Sequence, residues 1–463
     1  MRGVVSCIKH GVAQDSSYFL INLDNGIKAD RIETKTVLGC GEYVDYDLDG
    51  RASAQGNADI KGLEKRVTKL VSANVRNKRY ITGNEDVDRI TADMWRKILA
   101  AARLVIRKVA VSAPIIVRFH NDADGSSGAY SLYLSVKDIC ERLSLNGNII
   151  WIMQRGVSYS AADAENDILI SNNYTCIEKP LLVLIDFGTS LESNAGIENA
   201  KGRFDMVWLD HHPPVPGFKG TELKNYINPW QFKGDSSYTA GLLTSVLCKS
   251  FSGVDTKELE GASLIGDYSK YAGADGADTS ALLDFITSDL QAIFGPSKSN
   301  ITPQEIETIM NNPAKARELL DYANIKLEEA IDNGMKAVKR YAVGDSNLCV
   351  LDFEHVRHSD SKYPLPGRFS SKLVAKLSES GISRTILVVN VGAYILMRLD
   401  KELCQKYDLL ALIGEVKLRY TSEIEAGGGH RCAGTIKIMD KSRAKEMTNS
   451  LIAIIKSELS GQA

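Results

Sequence analysis

The stretch Met206-Val207-Trp208-Leu209-Asp210-His211-His212-Pro213-Pro214 decides how this chain is read. Four apolar residues, of the kind buried in a parallel sheet, run directly into a carboxylate and two imidazoles. A carboxylate at that point is costly unless it is paired or coordinated. Adjacent histidines point in different directions, so one is placed to ligate a metal and the other to face a substrate or a supporting contact. Pro213-Pro214 stiffens the loop that follows.

The same pattern recurs upstream. The apolar run Pro114–Phe119 leads into His120-Asn121-Asp122-Ala123-Asp124-Gly125, and Leu181–Ile185 leads into Asp186-Phe187-Gly188. Gly266-Asp267 lies downstream. If the extended backbone continues past His120, then His120, Asp122 and Asp124 share one face. Gly125 would then turn the chain into a helix beginning near Ser126 and Ser127, whose hydroxyls read either as caps or as hydrogen-bond partners of a phosphate. Each motif alone is also readable as a helix cap or a solvated loop. Together they are not, because three of the chain's seven histidines fall in strand-end motifs that also carry the acids. Hard oxygen donors mixed with imidazole suit Mn²⁺ or Mg²⁺ and, less specifically, Zn²⁺ or Fe²⁺. The donors exceed what one ion needs, which points to a two-metal hydrolase.

At 463 residues the chain is too long for one core. Residues 1–60 are turn-rich with short alternating apolar runs and a hairpin signal at Leu23-Asp24-Asn25-Gly26, suggesting a β-rich module of the oligonucleotide-binding type. Residues 1–53 nevertheless carry six Lys/Arg against eight Asp/Glu, so a protein-contact role stands equally open. Residues 61–112 have helical spacing and are expected to cover the next domain. Residues 113–290 alternate strands and helices, which places chemistry at the carboxyl ends of strands. Residues 291–345 read as a helical connector and 346–463 as a second, smaller α/β lobe. The expected fold class is therefore α/β, with two lobes joined by helices and a small β-rich module in front.

A formal charge of −2 gives no sign of a strongly basic nucleic-acid binder, and fits either a nuclease whose site is acidic before metals load or small-substrate chemistry. The eight cysteines show no CxxC pair and read as reduced thiols of a cytoplasmic protein. No apolar stretch matches a membrane span or a signal peptide's core, so no membrane partner is expected.

At these residues the chain resembles the DHH phosphoesterase superfamily, particularly its RecJ-like and archaeal Cdc45-related nucleases. The resemblance covers about residues 113–290 and 346–440, with Asp210-His211-His212 as the name-giving triplet. Gly427-Gly428-Gly429-His430-Arg431-Cys432-Ala433-Gly434 resembles the signature of the accessory (DHHA1) domain. It implies that His120, Asp122 and Asp186 hold one metal, and that Asp124, Asp186, His211 and Asp267 hold the other, with Asp186 bridging. Asp275 and Asp278 are rival positions for Asp267, but they lie in or beside a Gly/Ala-rich turn. The resemblance further implies that His212 contacts the scissile phosphate while Asp210 supports the histidines from behind.

In the second lobe the glycine run, read as a turn with exposed N–H groups, would cradle an anion beside His430 and Arg431. Arg357, His358 and Arg368 form a second basic cluster that reads either as cleft lining or as solvated surface. The implied activity is a single-strand exonuclease on DNA or RNA, using two Mn²⁺ (Mg²⁺ as alternative) to activate a water and release nucleoside 5′-monophosphates. The alternatives are an oligoribonuclease or cyclic-dinucleotide phosphodiesterase, and a Cdc45-like replication scaffold. Replication or repair proteins are the expected partners of the N-terminal module.

Overall fold

The computed structural model describes all residues except 12–15, 25–27, 296, 297, 299, 357–361 and 462–463. Asn25 and Gly26 of the expected hairpin therefore lie outside the described residues, as do Arg357 and His358. The chain forms two compact units, Met1–Ser280 and Ala281–Ala463.

The first unit opens with β1 (Arg2–Lys9), β2 (Ser17–Asn22), β3 (Lys28–Glu33), β4 (Glu42–Tyr46) and β5 (Ala52–Asn57). They pair in the order β3-β2-β1-β4-β5, and the first four make a Greek key, because β4 returns beside β1 rather than beside β3. Val5, Leu20, Ile32 and Val44 form its buried core. No pair joins β3 to β5 among the described residues, so the module is a partly open sheet.

Helices α1 (Ile60–Asn74) and α2 (Glu85–Ala110) follow. Asn84 caps α2 by accepting from the N–H groups of Asp86 and Val87, and the apolar stripe Ile90, Met94, Ile98, Ala101, Val105 is buried. The α/β layer then runs β6 (Pro114–His120), α3 (Ala123–Leu143), β7 (Asn148–Gln154), α4 (Ala161–Ser171), β8 (Tyr174–Cys176), β9 (Leu181–Ile185), α5 (Asn194–Ala200), β10 (Asp205–Leu209), β11 (Tyr226–Ile227), α6 (Ala240–Lys249), α7 (Lys257–Gly266) and α8 (Ala277–Ser288), within which the unit boundary falls.

Its sheet is wholly parallel, in the order β11-β10-β9-β6-β7. All five residues of β9 are buried, as a strand covered on both faces requires. Helices α2, α3 and α6 pack over one face, while α4 and α5 cover the other around Trp208, Leu184 and Ile116. Strand order reverses between β6 and β9, and in such sheets a crevice opens at the carboxyl ends beside that switch point. Those two strands end at His120 and Ile185.

The second unit continues with α9 (Leu290–Phe294), α10 (Pro303–Met310), α11 (Pro313–Ala337), β12 (Lys339–Val343), β13 (Ser346–Asp352), α12 (Pro366–Glu379), β14 (Thr385–Val391), β15 (Tyr394–Leu399), α13 (Leu409–Arg419), β16 (Ile424–His430), β17 (Ala433–Ile438) and α14 (Ala444–Gly461). The capping box of Thr302 and Glu305, with Pro303 at the first position, starts α10. The six strands order as β12-β13-β14-β15-β17-β16, with only β13 and β14 parallel. The end of the expected connector is thus strand, since β12 pairs along β13. No helix among the described residues is long and apolar enough to cross a membrane.

The reading of eight reduced thiols is corrected at four positions. Antiparallel pairing sets Cys7 on β1 opposite Cys176 on β8, and Cys404 meets Cys432; both pairs are joined as disulfides. Cys40, Cys140, Cys248 and Cys349 are free.

Candidate metal centre

The first acid group is built where β6 ends. The extended backbone does not continue past Asp122 as the sequence suggested, because α3 begins at Ala123 with Asp122 as its N-cap. Asp122 accepts from the Gly125 N–H at 3.0 Å, and its other oxygen lies 2.7 Å from His120 Nδ1. Gly125 is needed for this close approach, since a Cβ there would stand 2.4 Å from the His120 carbonyl oxygen. Asp124 is consequently a helix residue pointing into the fold. It accepts from the N–H groups of Ala240 (2.9 Å) and Gly241 (2.7 Å) at the start of α6, and from Ser263 Oγ at 2.5 Å. A helix N-terminus is a favourable seat for that carboxylate.

Asp186 follows β9 and is held by its N–H bond to the Leu209 carbonyl. Its φ is +66°, a left-handed conformation that a non-glycine residue adopts only at a cost. This turn places its two oxygens differently: Oδ2 lies 3.7 Å from His120 Nδ1, while Oδ1 lies 3.2 Å from His211 Nε2. His211 is fully buried, and the Ser236 carbonyl, 2.6 Å from Nδ1, fixes its ring. Its Nε2 then faces Asp124 (3.5 Å), Asp186 and Asp267 (2.9 Å). Asp267 caps the C-terminal end of α7. Asp275 is instead an exposed partner of Lys257, at 3.2 Å.

Asp210 is buried behind the pair of histidines. Its Oδ1 accepts from the backbone N–H of His211 (2.7 Å) and of His212 (3.1 Å), and lies 2.8 Å from His212 Nδ1. Asp210 thus orients the His212 ring directly, whereas Ser236 orients His211. Trp208 secures the strand before them: it is fully buried, donates to the Phe187 carbonyl at 2.9 Å, and meets Tyr159, Phe218 and Tyr226 edge-on.

Two donor groups result, His120–Asp122–Asp186 and Asp124–His211–Asp267, each with its ligand atoms within 4.8 Å of one another. Among the described residues no lysine or arginine pairs with any of these four carboxylates. Burial opposes charge on His211, but Asp267, Asp186 and Asp124 outweigh it and raise its pKa well above the usual imidazole range. His120 is raised against the same penalty by Asp122 and Asp186. Burial and the charge of Asp186 push Asp124 well above the carboxylate range, and burial with Asp122 raises Asp186. Protons retained in this way are what a bound divalent cation displaces. The chemistry of the donors fits hard divalent cations, with the two oxygens of Asp186 facing both groups.

Other candidate residues are placed differently from their sequence reading. Ser126 and Ser127 do not cap α3; they lie inside it, fully buried, and neither hydroxyl has a hydrogen-bond partner among the described residues. In the second unit the glycine run is strand, not turn: Gly427, Gly428 and Gly429 pair with Ile436, Thr435 and Gly434. Gly427 in this run and Gly434 on β17 let α13 lie close, since a Cβ would stand 3.0 Å from Ile413 Cγ2 at the first and 2.5 Å from Ile413 Cδ1 at the second. His430 ends that strand, partly exposed. Arg431 donates to the carbonyls of Gln405 (3.1 Å) and Tyr407 (3.4 Å). Arg368 donates to Asp284 at 2.5 Å, so a phosphate would have to compete with that carboxylate.

Sequence reasoning missed Ser236, Ser263 and Trp230, whose Nε1 donates to the His211 carbonyl at 3.1 Å. Thr239 before Ala240-Gly241 and an apolar run is a readable helix start, but nothing local shows that Asp124 would dock there.

No protein-family model matches the chain. It is 25% identical over 415 residues to an uncharacterized protein of Methanocaldococcus jannaschii, covering 78% of this chain and 54% of that one, so it spans about half the length of that relative. Among solved structures, the DHH domain of a member of the S1p family of ribosomal proteins superposes with a TM-score of 0.71 at 19% identity, covering 86% of this chain and 97% of that one. RecJ in complex with Mn²⁺ from Thermus thermophilus gives 0.49 at 13% identity, covering 81% and 60%. The chain has the DHH-domain fold.

Proposed function

We propose that this chain is a divalent-metal-dependent phosphodiesterase, and that its substrate is single-stranded DNA or RNA, cut from an end to nucleoside 5′-monophosphates. The observation that carries the reading is the Asp186 carboxylate, which turns one oxygen to each of two donor groups at the switch point of a parallel sheet.

In this reading His120, Asp122 and Asp186 hold one cation, and Asp124, Asp186, His211 and Asp267 hold the other; Mn²⁺ or Mg²⁺ suits such donors. When bound, the pair of cations supplies an activated water and neutralises charge on the phosphate and the departing oxygen. The protein's own part is positional. Asp210 fixes the ring of His212, whose side chain is 28% exposed, so that it donates to a phosphate oxygen. The carbonyl of Ser236 sets the tautomer of His211. His430 is proposed to bind the substrate's terminal phosphate or nucleotide.

End-labelled DNA and RNA strands of graded length, incubated with Mn²⁺ or Mg²⁺, test the proposal. Stepwise release of monophosphates from strands of tens of nucleotides is expected. Activity confined to dinucleotides would replace it with short-oligonucleotide hydrolysis, and no hydrolysis with any divalent metal would overturn it.

A further inference from the structure

The first unit carries a second concentration of charge, of opposite sign to the metal centre. In a chain of formal charge −2, Lys61, Lys65, Lys69, Arg76, Lys78 and Arg79 fall within one short span, and all six are exposed. Lys61, Lys65 and Lys69 recur at every fourth position, so they share one face of α1, where like charges destabilise the helix. Among the described residues none of the six has an ion-pair partner. Glu64, the acid within the span, is turned away to Arg107 at 2.5 Å.

The span leads into a pocket of about 380 Å³ lined by Arg76, Lys78, Arg79, Tyr80, Lys249 and the loop Ser252–Asp255. The pocket is tied to the fold: the Arg76 N–H bonds to the Ser250 carbonyl at 2.6 Å, and Lys249 sits 4.0 Å over the Tyr80 ring while pairing with Glu260 at 3.0 Å. Asp255 contributes one carboxylate, whose Oδ1 accepts from the Lys257 N–H. The unpaired cations therefore outnumber the acids.

Helix α6 connects this pocket to the metal centre. Its first N–H groups hold Asp124, and its last residue is Lys249. Its ten residues, at 1.5 Å each, span about 15 Å. At a stacked rise of roughly 3.4 Å per nucleotide, that is about four or five nucleotides along the axis. Because Ala240–Cys248 are buried, a strand joining the two places runs over the surface and needs more than that.

We infer that this basic pocket and the α1 stripe hold the phosphodiester backbone of a single-stranded nucleic acid whose end lies at the metal centre. The inference rests on the proposed function and deepens it: the enzyme would prefer strands long enough to reach both places. Guanidinium groups match phosphate in a bidentate fork, and contacts to phosphate fix position without reading sequence.

The test compares the full chain with its Arg76→Gln, Lys78→Gln, Arg79→Gln triple variant, using a 12-nucleotide single strand and a dinucleotide. Binding of the labelled 12-mer in EDTA should weaken at least tenfold. The slope of log affinity against log salt should fall by about two, at roughly 0.7 per phosphate contact for a single strand. With Mn²⁺, the ratio of kcat/KM on the 12-mer to that on the dinucleotide should drop at least tenfold. An unchanged ratio with unchanged binding overturns the inference. So does loss of capture by phosphatidylserine vesicles with 12-mer binding intact, which would make the surface a membrane contact. A wild-type chain that binds the 12-mer but hydrolyses nothing would instead sink the functional proposal and leave this surface standing.

Discussion

Asp267 brings its Oδ2 to 2.9 Å from His211 Nε2, reaching across from the end of α7 to the loop after β10. This contact, rather than a strand end, completes the second donor group. Asp267→Asn should reduce bound Mn²⁺ from two ions to one per chain, measured by equilibrium dialysis with metal analysis. Asp275→Asn, at a surface pair with Lys257, should leave two. A D267N chain that keeps both ions would remove Asp267 from the ligand set.

Asp186 carries both groups on a strained backbone. Asp186→Asn should lower kcat at least a thousandfold and disturb both ions, with circular dichroism unchanged. The strain has a separate signature. Glycine adopts φ of +66° without a Cβ penalty, so in EDTA Asp186→Gly should be more stable than Asp186→Ala by about 0.5–1 kcal/mol. Urea melts of the two variants check this, and equal midpoints would refute the strain.

Asp210 hydrogen-bonds the two histidines, and among the described residues no hydrogen bond or ion pair joins it to another member of the donor set. Asp210→Asn keeps an acceptor for their N–H groups but loses the charge that orients His212. Activity should fall about 10- to 100-fold, the usual loss for a supporting partner, while the number of bound ions stays at two. Loss of an ion would make Asp210 a ligand.

Two residues before His120, Arg118 is buried with its guanidinium on Asp167 at 2.6 Å and on Gln154 at 2.7 Å. Arg118→Met leaves the Asp167 charge buried and should destabilise the protein by about 3–5 kcal/mol, seen as a lowered Tm. Adding Asp167→Asn should recover part of that loss. A double variant whose loss equals or exceeds the sum of the two single losses would show that the pair does not act as a unit.

What the sequence reveals about this site follows from the range of the forces involved. The central strands and the acids at their ends are readable because alternation, burial and a terminal charge are local properties. Asp186 is the clearest case, directly after five buried residues. Asp124 is harder, since whether the chain stays extended or turns helical after Asp122 is decided by Gly125 packing on His120 and by the N-terminus of α6 receiving the carboxylate. The glycine run before His430 looks like a turn until β17 and α13 are placed against it. Arg368 looks like a ligand-binding cation until Asp284, far away in sequence, meets it. Asp124 and Arg368 are misread because their partners lie far along the chain, whereas the glycine run pairs with β17 only a few residues on and is hidden by its lack of side chains.

Strand β8 has a consequence for synthesis. It adds to β1 at the centre of the N-terminal sheet, with Cys7 opposite Cys176 across a separation of 169 residues. A ribosome adding about 5–20 residues per second needs roughly ten to thirty seconds to cover that interval. During that time the flank of β1 that β8 later occupies has no covering strand. The N-terminal module therefore finishes folding only after β6, α3 and β7 have been made, and shortening the chain to its first 60 residues would yield a sheet with an uncovered, association-prone edge.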